Sequence, residues 1–467
     1  MGCKVALGDI CSFSRGASVP RARMFDKGDF LYIHYGDLYK GFNLRIDVEN
    51  PAKPIPYISG DEKIKDSQRL CDQDIVYVLT SETVDDLGHA YLFNNPLDRP
   101  AVSGTETTVV RVERRDLIVP AYLNYLLSTP HFISQLRQYV RGMKVFRVHP
   151  NDVARIEVEL PSISAQKQIV AVLDTIYEKQ QVNAKLNGYL LELLKASAKN
   201  LYKEYECNEE LELPVGWRWI EVDEISEMVC RGITPKYNPY SDETVLGQTC
   251  VRNNLVLLEN GRLHSPKKVT EKWLQKYDLL INSTVVGSLG RTAQVWFEPT
   301  KLVVDSHVTI VRCKDKKHAL YLGFWAFEHE KYIESLHTGS TGQTELPRDH
   351  VKAIRLVLPS DEALERFNKM SEPSVRLIAA NQEENKRLAD LRDALLPKLV
   401  SGEIDVSKVD LTQLNSHLAT DLTNWHWDRA ANRHIRQVET ETWLGAPGLF
   451  CHWRYFASVS NRVGFHS

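Results

Sequence analysis

Residues 153–161 read VARIEVELP, and residues 351–359 read VKAIRLVLP. Val153, Ile156, Leu160 and Pro161 each recur 198 positions later, as Val351, Ile354, Leu358 and Pro359. Upstream the offset drifts by a few residues, as loop insertions require, but the order of matches holds. Gly142 answers Gly339, Pro150 answers Pro347, and Tyr122-Leu123 answers Tyr321-Leu322. Asp74-Ile75 with Thr80 and Gly88 answers Asp278-Leu279 with Thr284 and Gly290, and Arg15-Gly16 answers Arg231-Gly232. An ordered series of this kind marks a tandem duplication.

The segments downstream of Pro161 and Pro359 set the architecture. From Ser164 to Tyr205 there is no Pro, and the only Gly is Gly188. Ile169, Ile176 and Leu190 fall at heptad a positions, and Val172, Leu186 and Leu193 at d, which predicts a long amphipathic helix with a coiled-coil seam. The same offset carries the seam to Phe367, Met370, Leu388 and Leu391 on a second helix over about residues 361–398. Asn183 interrupts the first seam at an a position and Asn381 interrupts the second at the matching place. A buried Asn there lowers stability and fixes register, and both residues are assigned that role. Pro373 should kink the second helix or mark the start of a shorter one. Two copied helices of about 40 residues, each about 60 Å long, most simply pack antiparallel about a pseudo-twofold axis.

A globular unit precedes each helix. The strand candidates are Phe30–Tyr35, Ile75–Leu79, Thr107–Val112 and Ile156–Leu160, then Leu279–Asn282, Gln294–Phe297, His307–Val311 and Ile354–Leu358, with one helix per unit near Ala121–Arg141 and Leu320–His337. They are β-branched or aromatic runs punctuated by turn residues. The fold class is α+β: mixed α/β units over 1–161 and 206–359, long helices over 162–205 and 360–405, and a tail over 406–467.

The 467 residues carry 58 Lys and Arg against 61 Asp and Glu, a net charge of −3, with 43% hydrophobic and 25% charged residues. That composition excludes a disordered or fibrous chain and gives no global pull toward nucleic acid. The charges are unevenly placed, however. Residues 204–227 hold nine Asp and Glu and only Arg218 as a base, a solvated connector. Arg137, Arg141, Lys144 and Arg147 lie in a stretch without an acid, interleaved with Tyr139 and Phe146. Arg15, Arg21 and Arg23 cluster near the start, while Arg262, Lys267, Lys268, Lys272 and Lys276 face one acid, Glu271. Basic groups among aromatics suit phosphate positioning and base-edge readout.

No apolar leader opens the sequence and no apolar run approaches the ~18 residues of a membrane span. The eight cysteines form no CxxC pair, which argues against a zinc ribbon and for a reducing cytoplasm. There is no P-loop, no HExxH and no GxSxG. Asn238-Pro239-Tyr240 superficially resembles the NPPY loop of amino-methyltransferases but lacks one Pro and an upstream glycine-rich loop, so it is read as a turn.

The motifs together resemble a known family. LPVGW at 213–217, then Val222-Asp223-Glu224-Ile225 and Arg231-Gly232, is similar to the opening of a target-recognition domain in the specificity (S) subunits of type I restriction–modification systems. Leu7-Gly8-Asp9-Ile10 resembles the same opening without its leading LPxGW, which leaves the first strand of that unit open. Leu160-Pro161 with Gln166-Lys167-Gln168-Ile169 looks like the family's helix start, and Leu399-Val400-Ser401-Gly402-Glu403-Ile404 like its helix exit. The resemblance covers about residues 5–405.

It implies a non-catalytic subunit in which each domain reads one half of a bipartite double-stranded DNA site. The helices would set the gap and dock two methyltransferase subunits, and restriction/translocase subunits would join. S-adenosylmethionine, ATP and Mg would then sit on the partners, with no cofactor and no metal in this chain. The DNA-reading candidates are Arg15, Tyr32, His34, Thr80, Lys144 and Arg147 in the first unit, and Arg231, Lys236, Arg252, Asn253, Thr284, Arg291 and Gln343 in the second. A stand-alone methyltransferase or nuclease with divergent motifs, and a coiled-coil interaction protein without a DNA role, stay open as alternatives. The tail, with Trp425, Trp427, Trp443 and Trp453 among several histidines, has no counterpart after the first helix.

Overall fold

A computed structural model describes residues 3–38, 41–84, 86–265, 272–285, 287–339 and 344–409. The tail beyond 409, Gln343, Lys267, Lys268 and Glu271 lie outside the described residues. The chain divides into one unit formed by Met1–Thr175 with the segment that begins at Leu395, and a second formed by Ile176–Ala394.

In the first unit the opening strand Cys3–Ala6 pairs antiparallel with Glu157–Leu160, so the strand left open by the missing LPxGW is present. A five-stranded sheet has the order Cys11–Arg15, Thr107–Val112, Ile75–Val78, Ala90–Asn94, Arg45–Asp47. It is antiparallel except where Arg45–Asp47 joins in parallel. A smaller sheet orders Tyr57–Ile58, Phe30–Ile33 and Ala101–Ser103, the last two parallel. One face of the large sheet, with Ile75, Tyr77, Leu92 and Val110, is buried with Tyr122, Leu123, Leu126 and Phe132. The single helix expected over Ala121–Arg141 is two, Pro120–Leu127 and Pro130–Arg137. Thr129 ends the first and caps the second by accepting from Phe132 N at 3.1 Å, with Pro130 at the position where a missing N–H costs nothing.

The second unit repeats this plan. Arg218–Glu221 pairs antiparallel with Arg355–Leu358. The main sheet runs Ser226–Arg231, Val308–Cys313, Leu279–Asn282, Thr292–Gln294, and the small sheet runs Arg262–Leu263, Thr244–Leu246, Leu302–Val304, again with one parallel pair. The strand expected over Gln294–Phe297 is displaced to Thr292–Gln294. Its helix too is split, into Ala319–Glu328 and Glu330–Ser335. Both units are mixed α/β.

The duplication extends to a buried ion pair. In the first unit Arg111 donates to both Asp74 oxygens at 2.9 and 2.7 Å and to Arg69 O at 2.9 Å. In the second, Arg312 donates to both Asp278 oxygens at 2.8 and 2.7 Å and to Trp273 O at 2.7 Å. Each aspartate also closes its own turn, accepting from Cys71 N and from Gln275 N. The carboxylates push both guanidinium groups further above their ordinary range.

The long helices span Ile163–Cys207 and Asp361–Val400. The second runs through Pro373 unbroken, so that proline marks no new start. At the start of the first, Gln166 is fully buried and fully bonded: Val119 N donates to it, and it donates to Leu117 O and Pro161 O, each at 2.9 Å. Asp174 accepts from Tyr125 Oη at 2.8 Å and pairs with Arg45, which ties the helix to the first unit.

The seven-residue seam is corrected. Leu193 and Leu391 are exposed, while Leu191 and Leu194 are buried. Buried positions recur every eleven residues, at Ile169, Gln180, Leu191 and Tyr202, at Val172, Asn183 and Leu194, and at Ile176, Asn187 and Ala198. On the second helix Leu364 and Val375, Phe367 and Ile378, and Leu388 and Leu399 keep that spacing. Eleven residues in three turns is close to the natural helical period, so the stripe needs no left-handed supercoil.

Within the second unit the helices are bonded antiparallel through amides. Asn183 Nδ2 donates to Asn385 Oδ1 at 2.9 Å and to Glu384 Oε2 at 2.5 Å, and Asn385 donates to Gln180 O at 3.2 Å. Asn381 Nδ2 donates to Asn187 Oδ1 at 2.7 Å, and Asn187 donates to Ile378 O at 3.2 Å. Exchanging residues 198 positions apart (183 with 381, 187 with 385, 180 with 378) turns the Asn183–Asn385–Gln180 chain into the Asn381–Asn187–Ile378 chain.

Candidate nucleic-acid interface

In each unit one corner of the main sheet gathers the chemistry. It is built by a tight backbone junction. In the first unit Gly16 N donates to Thr107 O at 2.9 Å, and a Cβ on Gly16 would lie 1.9 Å from Gly104 O. In the second, Gly232 N donates to Val308 O at 3.0 Å, and a Cβ there would lie 2.1 Å from Val304 O. Only glycine permits this approach. That is the physical reason for the Arg-Gly match.

Around the first junction the two-residue strand Thr80–Ser81 pairs with Phe146–Arg147, and Val148 N donates to Leu79 O at 2.9 Å. Arg141 and Arg147 exchange backbone bonds of 2.9 and 2.8 Å, closing the loop that carries exposed Lys144. The Arg147 side chain is 59% exposed and lies 3.6 Å from Glu106, which sits in the turn before Thr107. Arg15 is exposed at the end of the neighbouring strand, opposite Thr108. Arg15, Thr80, Lys144 and Arg147 are thus brought to one corner.

Around the second junction Thr284 bridges to Glu345, Leu346 N donates to Ser283 O at 2.9 Å, and Thr338 and Glu345 exchange bonds of 2.8 and 3.0 Å. His307 Nδ1 lies 2.9 Å from Thr284 Oγ1, which also accepts from Gln248 Nε2 at 2.7 Å. Glu345, 63% exposed, accepts from Arg231 Nη2 at 2.9 Å. Arg252 and Asn253 are exposed on a hairpin of Val251–Arg252 with Leu255–Val256, Asn253 in the left-handed region at φ 52°. Lys236 is exposed in a separate loop, and Arg291 is half-buried.

Three candidates are corrected. Tyr32 is fully buried, and its hydroxyl donates to Ala17 O at 2.7 Å and accepts from Val19 N and Thr105 N at 3.1 and 2.9 Å. It braces the small sheet and has no face for DNA. His34 is buried, and its Nδ1 accepts from Gly36 N at 3.1 Å. Burial, and then the nearby Arg21 charge, hold its imidazole pKa below the usual range. Arg231 has a side chain only 16% exposed, directed into Leu346 O at 2.8 Å, Ser306 O at 3.3 Å and Ser283 O at 3.4 Å. Burial lowers its pKa, and it works as a clamp on the corner. Lys272 similarly ties down Arg231 O and Gly232 O at 2.8 and 3.3 Å. Gln343 lies outside the described residues. Asn238 Oδ1 accepts from Tyr240 N at 3.0 Å, which makes Asn238-Pro239-Tyr240 a side-chain-stabilised turn.

Sequence reasoning misses Glu106, His307, Glu345 and Gln248. The matches that flank Arg147, Gly142 with Gly339 and Pro150 with Pro347, are 197 apart and point to Thr344, so only the backbone bonds place Glu345 opposite Arg147. Among the described residues no group of His, Cys, Asp and Glu is placed to hold a metal ion, and no helix is long and apolar enough to cross a membrane.

Residues 3–190 match the family model of the type I restriction modification DNA specificity domain. The chain is 25% identical over 346 residues to the type I restriction enzyme MjaIX specificity subunit of Methanocaldococcus jannaschii, covering 69% of this chain and 76% of that one. It is 21% identical over 477 residues to the HindI specificity subunit of Haemophilus influenzae, covering 85% and 98%. Among solved structures, the S subunit of a type I restriction–modification system from M. genitalium superposes with a TM-score of 0.49 at 14% identity, covering 85% of this chain and 95% of that one. The matched segment holds one unit with the first part of its long helix, the rest of the described chain repeats that plan, and the chain is similar to type I restriction–modification specificity subunits.

Proposed function

We propose that residues 1–161 and 206–359 are two target-recognition domains, each reading one half of a bipartite site in double-stranded DNA. The helices over 162–205 and 360–405 form an antiparallel pair with pseudo-twofold symmetry, set the gap between half-sites and dock two methyltransferase subunits. The observation that carries this reading is the repetition of one plan, down to the Arg-Gly junction and the Asp–Arg pair, beside a family match to a DNA specificity domain. Arg15, Thr80, Lys144 and Arg147, and Lys236, Arg252, Asn253, Thr284 and Arg291, are the groups that face DNA. Asn183 and Asn381 set helix register, together with Asn187 and Asn385. The chain itself performs no catalysis. S-adenosylmethionine belongs to the methyltransferase subunits, ATP and Mg to restriction/translocase subunits, and the assembly works in the cytoplasm.

The test is co-expression with the source cell's own methyltransferase subunit in a host without adenine methylation, with mapping of modified bases. A single bipartite motif, methylated only when both chains are present, is the expected result. Methylation or cleavage by the purified chain alone would establish the enzyme reading instead, and no modification under any pairing would leave an interaction protein.

A further inference from the structure

The two corners are the same backbone carrying opposite chemistry. Thr80, Glu106 and Arg147 in the first unit occupy the places of Thr284, His307 and Glu345 in the second. The equivalence is fixed by matching bonds: Gly16 N to Thr107 O with Gly232 N to Val308 O, Val148 N to Leu79 O with Leu346 N to Ser283 O, and the Arg141–Arg147 bridge with the Thr338–Glu345 bridge. The threonine is retained, while an arginine becomes a glutamate and a glutamate becomes a histidine.

Neither pairing is needed to hold its corner. Arg147 and Glu106 are 3.6 Å apart and both exposed, and exposed pairs of this kind contribute little stability. A guanidinium has five N–H donors, more than Glu106 can occupy. Glu345 offers Oε1 to Arg231, and a carboxylate has about four lone-pair sites, so acceptor capacity is left over. Arg231 is held by three backbone carbonyls and fixes that carboxylate in place.

We infer that these corners are the specificity-determining sets of their units and that they read opposite hydrogen-bonding edges. Arg147 takes an acceptor edge, guanine O6 and N7, and Glu345 takes the exocyclic amine of cytosine, the pairings that major-groove geometry favours. Glu106 and Arg231 are positioning residues, and the Gln248–Thr284–His307 chain steadies the second corner. The inference rests on the DNA reading proposed for the two units.

The experiment selects the full chain on a randomised double-stranded DNA pool and sequences the bound fraction. Arg147→Lys keeps the point charge and loses the fork, so about tenfold of a guanine preference should vanish at one position of one half-site while the other half-site is unchanged. Glu345→Gln should convert a cytosine preference to adenine in the other half-site, because an amide pairs with adenine N6 and N7. A gained preference cannot arise from misfolding. If both variants select the wild-type motif, or bind every sequence more weakly without moving any base preference, the inference is overturned while the DNA reading stands. A wild-type chain that selects no motif overturns both.

Discussion

Asp74 and Asp278 do the same work in the two units, closing a turn and holding an arginine fork inside the sheet. At the corners, Arg147 and Glu345 occupy one backbone position with opposite charge. The difference separates two demands. A scaffold interior must satisfy its buried polar groups in both copies, because an unpaired buried charge is costly. An exposed corner carries no such constraint, and there the copies differ in charge.

The copies should respond unequally wherever their burial differs. Asp278→Ala strands a buried guanidinium and should lower stability by about 3–5 kcal/mol in denaturant titration. Asp74→Ala should cost less, because Arg111 is 31% exposed against 8% for Arg312 and water can reach it. Equal losses, or a neutral Asp278→Ala, would break the comparison. Asn381→Ala takes the donor from buried Asn187 and Asn183→Ala takes it from half-buried Asn385, and each should cost about 1–3 kcal/mol. Asn183→Ala with Asn385→Ala should be less than additive, since the two bond each other, whereas Asn183→Ala with Asn381→Ala should add. Arg147→Ala and Glu345→Ala should change stability by under about 0.5 kcal/mol while altering DNA selection.

Acidity sharpens a smaller contrast. The His34 pKa is depressed in the folded state, so its neutral form favours folding: that contribution is complete above about pH 6.5 and is lost as pH falls below it. Gly247, which comes after Leu246 as His34 comes after Ile33, has no such group. His34→Gln should flatten the acid side of the stability curve, read by thermal melts from pH 7 to 5.

Much of the fold is legible in the sequence because duplication writes itself in spacing. The offset locates Asn183 and Asn381, and the prolines and glycines locate the ends of elements. The seam period is not legible, because leucines at 186, 190, 191, 193 and 194 satisfy both seven- and eleven-residue repeats until burial selects among them. Arg15 and Arg231 read alike in sequence, yet only Arg231 is drawn inward, by carbonyls at 283, 306 and 346 that are remote along the chain. Glu345 escapes notice because acids weigh against DNA in a charge count, although a carboxylate is the natural acceptor for one base edge.

The amide chains on the long helices have a consequence for inheritance. Each asparagine finds its mate in the opposite copy, Asn183 with Asn385 and Asn381 with Asn187. A change at one of them therefore cannot be repaired within its own half of the gene. The exposed corners of the two halves can change independently, but along this seam the halves must mutate in step, and descendants should keep or lose these asparagines as pairs across the duplication.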